Sequence, residues 1–145
     1  MNNKSITPND VEDIFSRVHV PPPKEVLMPL NTSIVNETGP YAGRKVLGMH
    51  IAGENSIFVP STSPSRTVLH EATHNMGLRG ETVTRVIAAI SNFRYNFGIL
   101  PRLRGHIRRV KYDVEELSPD ESAEVLQRYG LGNANIRIIR MRLKE

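Results

Sequence analysis

The sequence predicts an α+β domain: a small mixed or antiparallel sheet packed on one H-E-x-x-H helix and a following glutamate helix, with a C-terminal helix and strand. Three observations predict it. Short runs rich in Val, Ile and Leu, bounded by Gly, Pro and Asn, alternate with stretches whose apolar residues recur every three or four positions. A chain of 145 residues, 39% hydrophobic and 23% charged, suits one domain with its own core. At its centre lies Thr67-Val68-Leu69-His70-Glu71-Ala72-Thr73-His74-Asn75-Met76-Gly77, which carries polar chemistry on a helical repeat.

Taken in order, residues 7–18 read as a first helix. Thr7 or Asn9 can cap it, Pro8 suits its start, and Val11, Ile14, Phe15 and Val18 form a stripe. Pro21-Pro22-Pro23 ends it. Glu25 to Leu30 reads as a short strand that Pro29 confines to an edge or an end. Asn31 to Gly43 is a loop with at most a short strand at Ser33-Ile34-Val35. Two better strands follow, Lys45 to Ile51 and Ser56 to Pro60, joined by a hairpin turn at Gly53–Asn55. The central helix spans about 64–76, with Ser63-Pro64 as cap and first-turn proline and Gly77 as its stop.

Glu81 to Phe97 carries Val83, Val86, Ile87, Ile90, Phe93 and Phe97 on one stripe, an amphipathic helix. Residues 102–117 are ambiguous, with a candidate strand at His106–Tyr112. Ser118-Pro119-Asp120-Glu121 is a capping-box start for a helix to Arg128, stopped by Gly130 and Gly132. Asn135 to Leu143 reads as a strand with one basic face. The core therefore covers about 7–100, with a C-terminal extension over 101–145.

Composition narrows the function classes. No apolar run approaches the roughly 18 residues of a membrane helix, and the N-terminus lacks an apolar signal core, so no membrane role and a cytoplasmic location are expected. The absence of cysteine removes disulfides and Cys-ligated zinc; any zinc must be held by His, Glu or Asp. The net charge of +4 is arranged in blocks. Arg102, Arg104, Arg108, Arg109 and Lys111 form one basic block, and Arg137, Arg140, Arg142 and Lys144 another, with six acids at 113–124 between them. These blocks could contact nucleic acid or an acidic protein, or could pair with the acids between them.

The central helix carries the chemistry. Residues four apart on a helix stack one turn above each other, so His70 and His74 can grip one Zn²⁺ at roughly 2.0–2.1 Å each. Glu71 lies about 100° around the helix from His70 and can reach a metal-bound water without ligating the metal. Val68, Leu69, Ala72 and Met76 give the helix a buried side. A catalytic zinc usually takes a third protein ligand. The next acid is Glu81, reached through Gly77-Leu78-Arg79-Gly80, where two glycines let the chain reverse. Glu81 could equally serve only its own helix dipole, and His50 and then His106 are rival ligands.

The stretch from Ile57 to Ile90 resembles the zincin metallopeptidases, especially the minigluzincins and the ImmA/IrrE-like domain. The likeness lies in a strand, a short polar stretch with proline, Arg66-Thr67-Val68-Leu69-His70-Glu71-Ala72-Thr73-His74, and a helix opening Glu81-Thr82-Val83-Thr84-Arg85. It implies a zinc-dependent peptidase acting on protein or peptide substrates: His70, His74 and Glu81 as ligands, Glu71 as general base, and the strand at 56–59 as the cleft edge where an extended substrate adds. Two departures stand out: a short His74–Glu81 gap and Arg85 where larger gluzincins often carry Asp. His74-x-x-Gly77 also matches part of the metzincin motif, which breaks at Gly80. A second donor for the oxyanion could come from His106, Tyr112 or Tyr41, while Tyr95 lies too far along its helix. The strand at 135–143 could fill the cleft and hold the enzyme latent. Proteins resembling the ImmA/IrrE group act in transcriptional control, so a regulatory module with a basic C-terminal third is the alternative.

Overall fold

A computed structural model describes residues 5–18, 20–36, 42–51, 53–75, 109–131 and 136–144. Helix α1 (Pro8–Arg17) starts at a reciprocal cap: the Thr7 hydroxyl accepts from the Asp10 amide, and the Asp10 carboxylate accepts from the Thr7 amide at 2.9 Å. Its buried stripe is Val11, Ile14 and Phe15.

A five-stranded mixed sheet carries the fold, in the order β4 (Met49–His50), β5 (Ser56–Phe58), β1 (Glu25–Pro29), β7 (Ile138–Leu143), β6 (Tyr112–Glu116). β1 and β5 run parallel, and the other neighbours are antiparallel. Pro29 ends a central strand rather than lying on an edge. At that last position only its carbonyl is needed, and it accepts from the Ser61 amide at 2.8 Å.

Both faces of the sheet are covered, and the strand alternation sorts the core into two layers. Val26, Met28, Ile57, Ile139 and Met141 face α1 and helix α2 (Ser65–Asn75). Leu27, Phe58 and Ile138 face helix α3 (Pro119–Arg128) and the hairpin of β2 (Ile34–Val35) with β3 (Lys45–Val46). α3 opens at the expected Ser118–Glu121 capping box, and Gly130 (φ 70) stops it in the left-handed region. Among the described residues, no helix is long and apolar enough to cross a membrane.

Several expectations change. The run 45–51 is not one strand: β3 pairs with β2, β4 pairs with β5, and Leu47-Gly48 turns between the two sheets. Ser63 explains part of this, since its hydroxyl donates to the Leu47 carbonyl at 2.6 Å and pins the connector, while α2 itself begins at Ser65. The strand at 56–59 is not an edge. β5 is paired on both sides, and two-residue β4 lies outside it. Of the candidate strand at 106–112, residues 106–108 lie outside the described residues, 109–111 are not in a strand, and β6 begins at Tyr112, where pairing with Leu143 starts.

The latency expectation is also overturned. β7 is hydrogen-bonded between β1 and β6, so the C-terminal strand is built into the sheet and is not a plug in a cleft. The stretch 101–145 thus supplies β6, α3 and β7, and Lys144 donates back to the Lys111 carbonyl at 2.9 Å. The glutamate helix expected over 81–97 lies outside the described residues.

Candidate metal centre

α2 is set against the sheet by Val68, Leu69 and Ala72, all fully buried. That orientation decides where its polar residues fall. Thr67 and Glu71, one turn apart, are buried at 7% and 8% exposure, whereas His70 and His74 are half-buried. Thr73 is fully buried and satisfies its hydroxyl by donating to the Leu69 carbonyl at 2.7 Å.

The two imidazoles stand together. Their ring centroids are 4.8 Å apart and their planes cross at 81°. Two imidazoles bound to one tetrahedral ion, with metal–nitrogen bonds near 2.0–2.1 Å, place their centroids about 5 Å apart. The donor set and its spacing therefore fit zinc as a pair of ligands. Among the described residues, no group of three His, Cys, Asp or Glu side chains converges to hold a metal. Glu81 and His106 lie outside the described residues, as do His19, Tyr41 and Tyr95.

His50, the rival ligand on β4, has a different attachment. The Lys24 amide donates to Asn55 Oδ1 at 3.2 Å, which fixes the Asn55 amide. Asn75 Nδ2 donates to the same oxygen at 2.6 Å, so Asn75 Oδ1 is turned to His50, 3.0 Å from its Nε2. The neutral imidazole of His50 therefore carries its proton on Nε2 and donates it to Asn75. Burial, then the neighbouring His74, holds the His50 pKa below its ordinary value, with Glu54 opposing. His50 is thus tied to the residue that follows His74 and lies near enough to His74 to feel its charge.

Tyr112 is removed from the list of oxyanion donors: its buried hydroxyl donates to the Pro23 carbonyl at 2.7 Å. Three of the four cations of the second basic block, Arg137, Arg140 and Lys144, lie against carboxylates. Arg137 forms a two-point pair with Glu116 (2.7 and 3.1 Å), Lys144 lies 3.5 Å from Asp113, and Arg140 Nη1 donates to Glu115 at 3.2 Å. Arg140 Nε is 3.3 Å from Glu25 Oε2 but not aligned for a hydrogen bond, so that contact is Coulombic.

Sequence reasoning missed three residues here. Asn55 and Asn75 gave no signal, because an amide network between a turn and a helix end has no spacing rule. Gly48 did carry one: a glycine inside a strand pattern marks a close backbone approach. Comparison with family models, with curated proteins and with solved structures finds no match to this chain.

Proposed function

We propose that the protein is a zinc-dependent metallopeptidase of gluzincin type, with His70, His74 and Glu81 as metal ligands and Glu71 as general base. The observation that carries this reading is the pairing of two imidazoles at a spacing suited to one tetrahedral ion, with a buried carboxylate on the next residue of the same helix. Zinc, when bound, supplies a Lewis acid that polarises a carbonyl and acidifies a water. Glu71 accepts the proton of the attacking water and passes it to the leaving amine. Its burial keeps bulk water from competing for that proton. His70 and His74, half-buried on α2, would hold the ion, and an extended peptide would lie along β4.

The regulatory alternative, nucleic acid or an acidic partner bound through the C-terminal third, has less behind it. Arg137, Arg140 and Lys144 already lie against carboxylates of their own sheet, and residues 102–108 of the other basic block lie outside the described residues. Hydrolysis of a fluorogenic peptide library is the test. Cleavage that a chelator abolishes, zinc restores, and Glu71→Gln reduces by about 10²–10⁴-fold while keeping zinc supports the proposal. Cleavage that survives Glu71→Gln, or none by zinc-loaded wild type, rejects it.

A further inference from the structure

The connector from β3 to β4 meets α2 at a point with no room for a side chain. A Cβ on Gly48 would lie 2.7 Å from Glu71 Cγ, 2.8 Å from Thr67 Cγ2 and 3.1 Å from Glu71 Oε2. Gly48 is not among the glycines at positive φ, so its backbone conformation is open to other residues and only space demands glycine.

The connector cannot simply back away. The Ser63 hydroxyl holds the Leu47 carbonyl on one side of Gly48, and the β4–β5 ladder begins at Met49 on the other. Strand and helix also run in step here. Gly48 and His50, two residues apart, are separated by roughly 6.6 Å along a strand, and Glu71 and Asn75, four apart, by about 6 Å along a helix. Gly48 thus falls against Glu71 as His50 falls against Asn75.

We infer that Gly48 is a positioning residue for Glu71: its bare Cα, pinned against α2, sets where the carboxylate stands beside His70 and His74. The inference rests on the metallopeptidase reading and adds a determinant outside the motif. The nearest atom, Glu71 Cγ, is mid-chain, so a methyl group at position 48 cannot be accommodated by moving only the carboxylate tip. Glu71 must change rotamer and carry its oxygens with it, and a misplacement of about 1 Å costs on the order of 100-fold in a reaction that depends on orientation.

The test uses the cobalt(II)-loaded protein and acetohydroxamate, titrated by visible absorption, so no substrate is needed. Hydroxamate chelates the ion and shares its proton with the neighbouring carboxylate, which makes its affinity a report on where Glu71 stands. Gly48→Ala should bind cobalt as wild type does and bind hydroxamate at least about tenfold more weakly, with no added loss in a Glu71→Ala background. Without metal, Gly48→Ala should lower the melting temperature more in wild type than in Glu71→Ala.

Thr67→Ser separates helix packing from carboxylate placement, because it removes the Cγ2 that a Cβ would strike. Hydroxamate affinity should stay weak in Gly48→Ala/Thr67→Ser. Recovery there, unchanged affinity in Gly48→Ala, an equal loss in Glu71→Ala, or failure of the double variant to fold would each overturn the inference. If wild type binds no cobalt, the metallopeptidase reading fails first and takes the inference with it.

Discussion

The two ends of the sheet are built from opposite chemistry. At the β7–β6 end, acids and bases face each other across the ladder, as in Asp113 with Arg142 and Glu115 with Arg140. At the β4–β5 end, imidazoles, amides and one buried carboxylate collect around α2. Paired charges cancel locally, protect an exposed edge strand and leave little net field for a partner to recognise. The paired imidazoles of His70 and His74 do the reverse, since each adds a nitrogen donor suited to a divalent ion. Among the described residues, then, the charges of β6 and β7 serve the sheet, and the metal proposal rests on the less conspicuous histidines.

That comparison can be broken most severely at β7. Ending the chain at Gly132 removes a strand bonded on both sides, and the protein should lose its fold by circular dichroism; a truncated chain with native thermal unfolding would contradict the topology. Arg140→Ala comes next. It leaves Glu25 and Glu115 without their partly buried cation and should cost about 1–2 kcal/mol in denaturant unfolding, with zinc binding unchanged. A stability loss that also removed zinc would mean the two ends are coupled.

Asn75→Ala should matter less to folding and more to the His50 ring. It removes the acceptor that orients His50, so the pH-dependent NMR signals of the His50 ring should report a changed tautomer while the fold persists. Signals unchanged from wild type would argue against the Asn55–Asn75–His50 chain. The smallest effect belongs to Glu116. Its hydrogen bond with Arg137 lowers its pKa below 4.5, so its contribution is present above that value and lost as pH falls through the lowered pKa. Both groups are exposed, so Arg137→Gln should leave melting at neutral pH nearly unchanged and only slightly flatten the acid limb.

Much of the fold was legible because its signals are local. The Thr7 and Ser118 caps, the stripe of α1, the glycine stop after Tyr129 and the β4–β5 hairpin each rest on residues a few positions apart. What misled was non-local. The run 45–51 looks like one strand until Ser63, twelve or more positions downstream, takes the Leu47 carbonyl. β6 gives a weak apolar signal, since four of its five residues are exposed and three of those four are acids. Nothing local says that β7 pairs with β1. The stacking of His70 and His74 on one face of α2 was readable from helical spacing alone, but the Gly48 contact and the amide chain to His50 depend on which strand lies beside the helix.

Zinc stoichiometry decides whether the end of the sheet that carries His70 and His74 is a metal centre. Metal analysis after dialysis against limiting free zinc should find one equivalent in wild type, none in His70→Ala, and reduced affinity in Glu81→Ala, with all three proteins folded. A metal-free wild type, or a His70→Ala protein that keeps its zinc, would contradict the account.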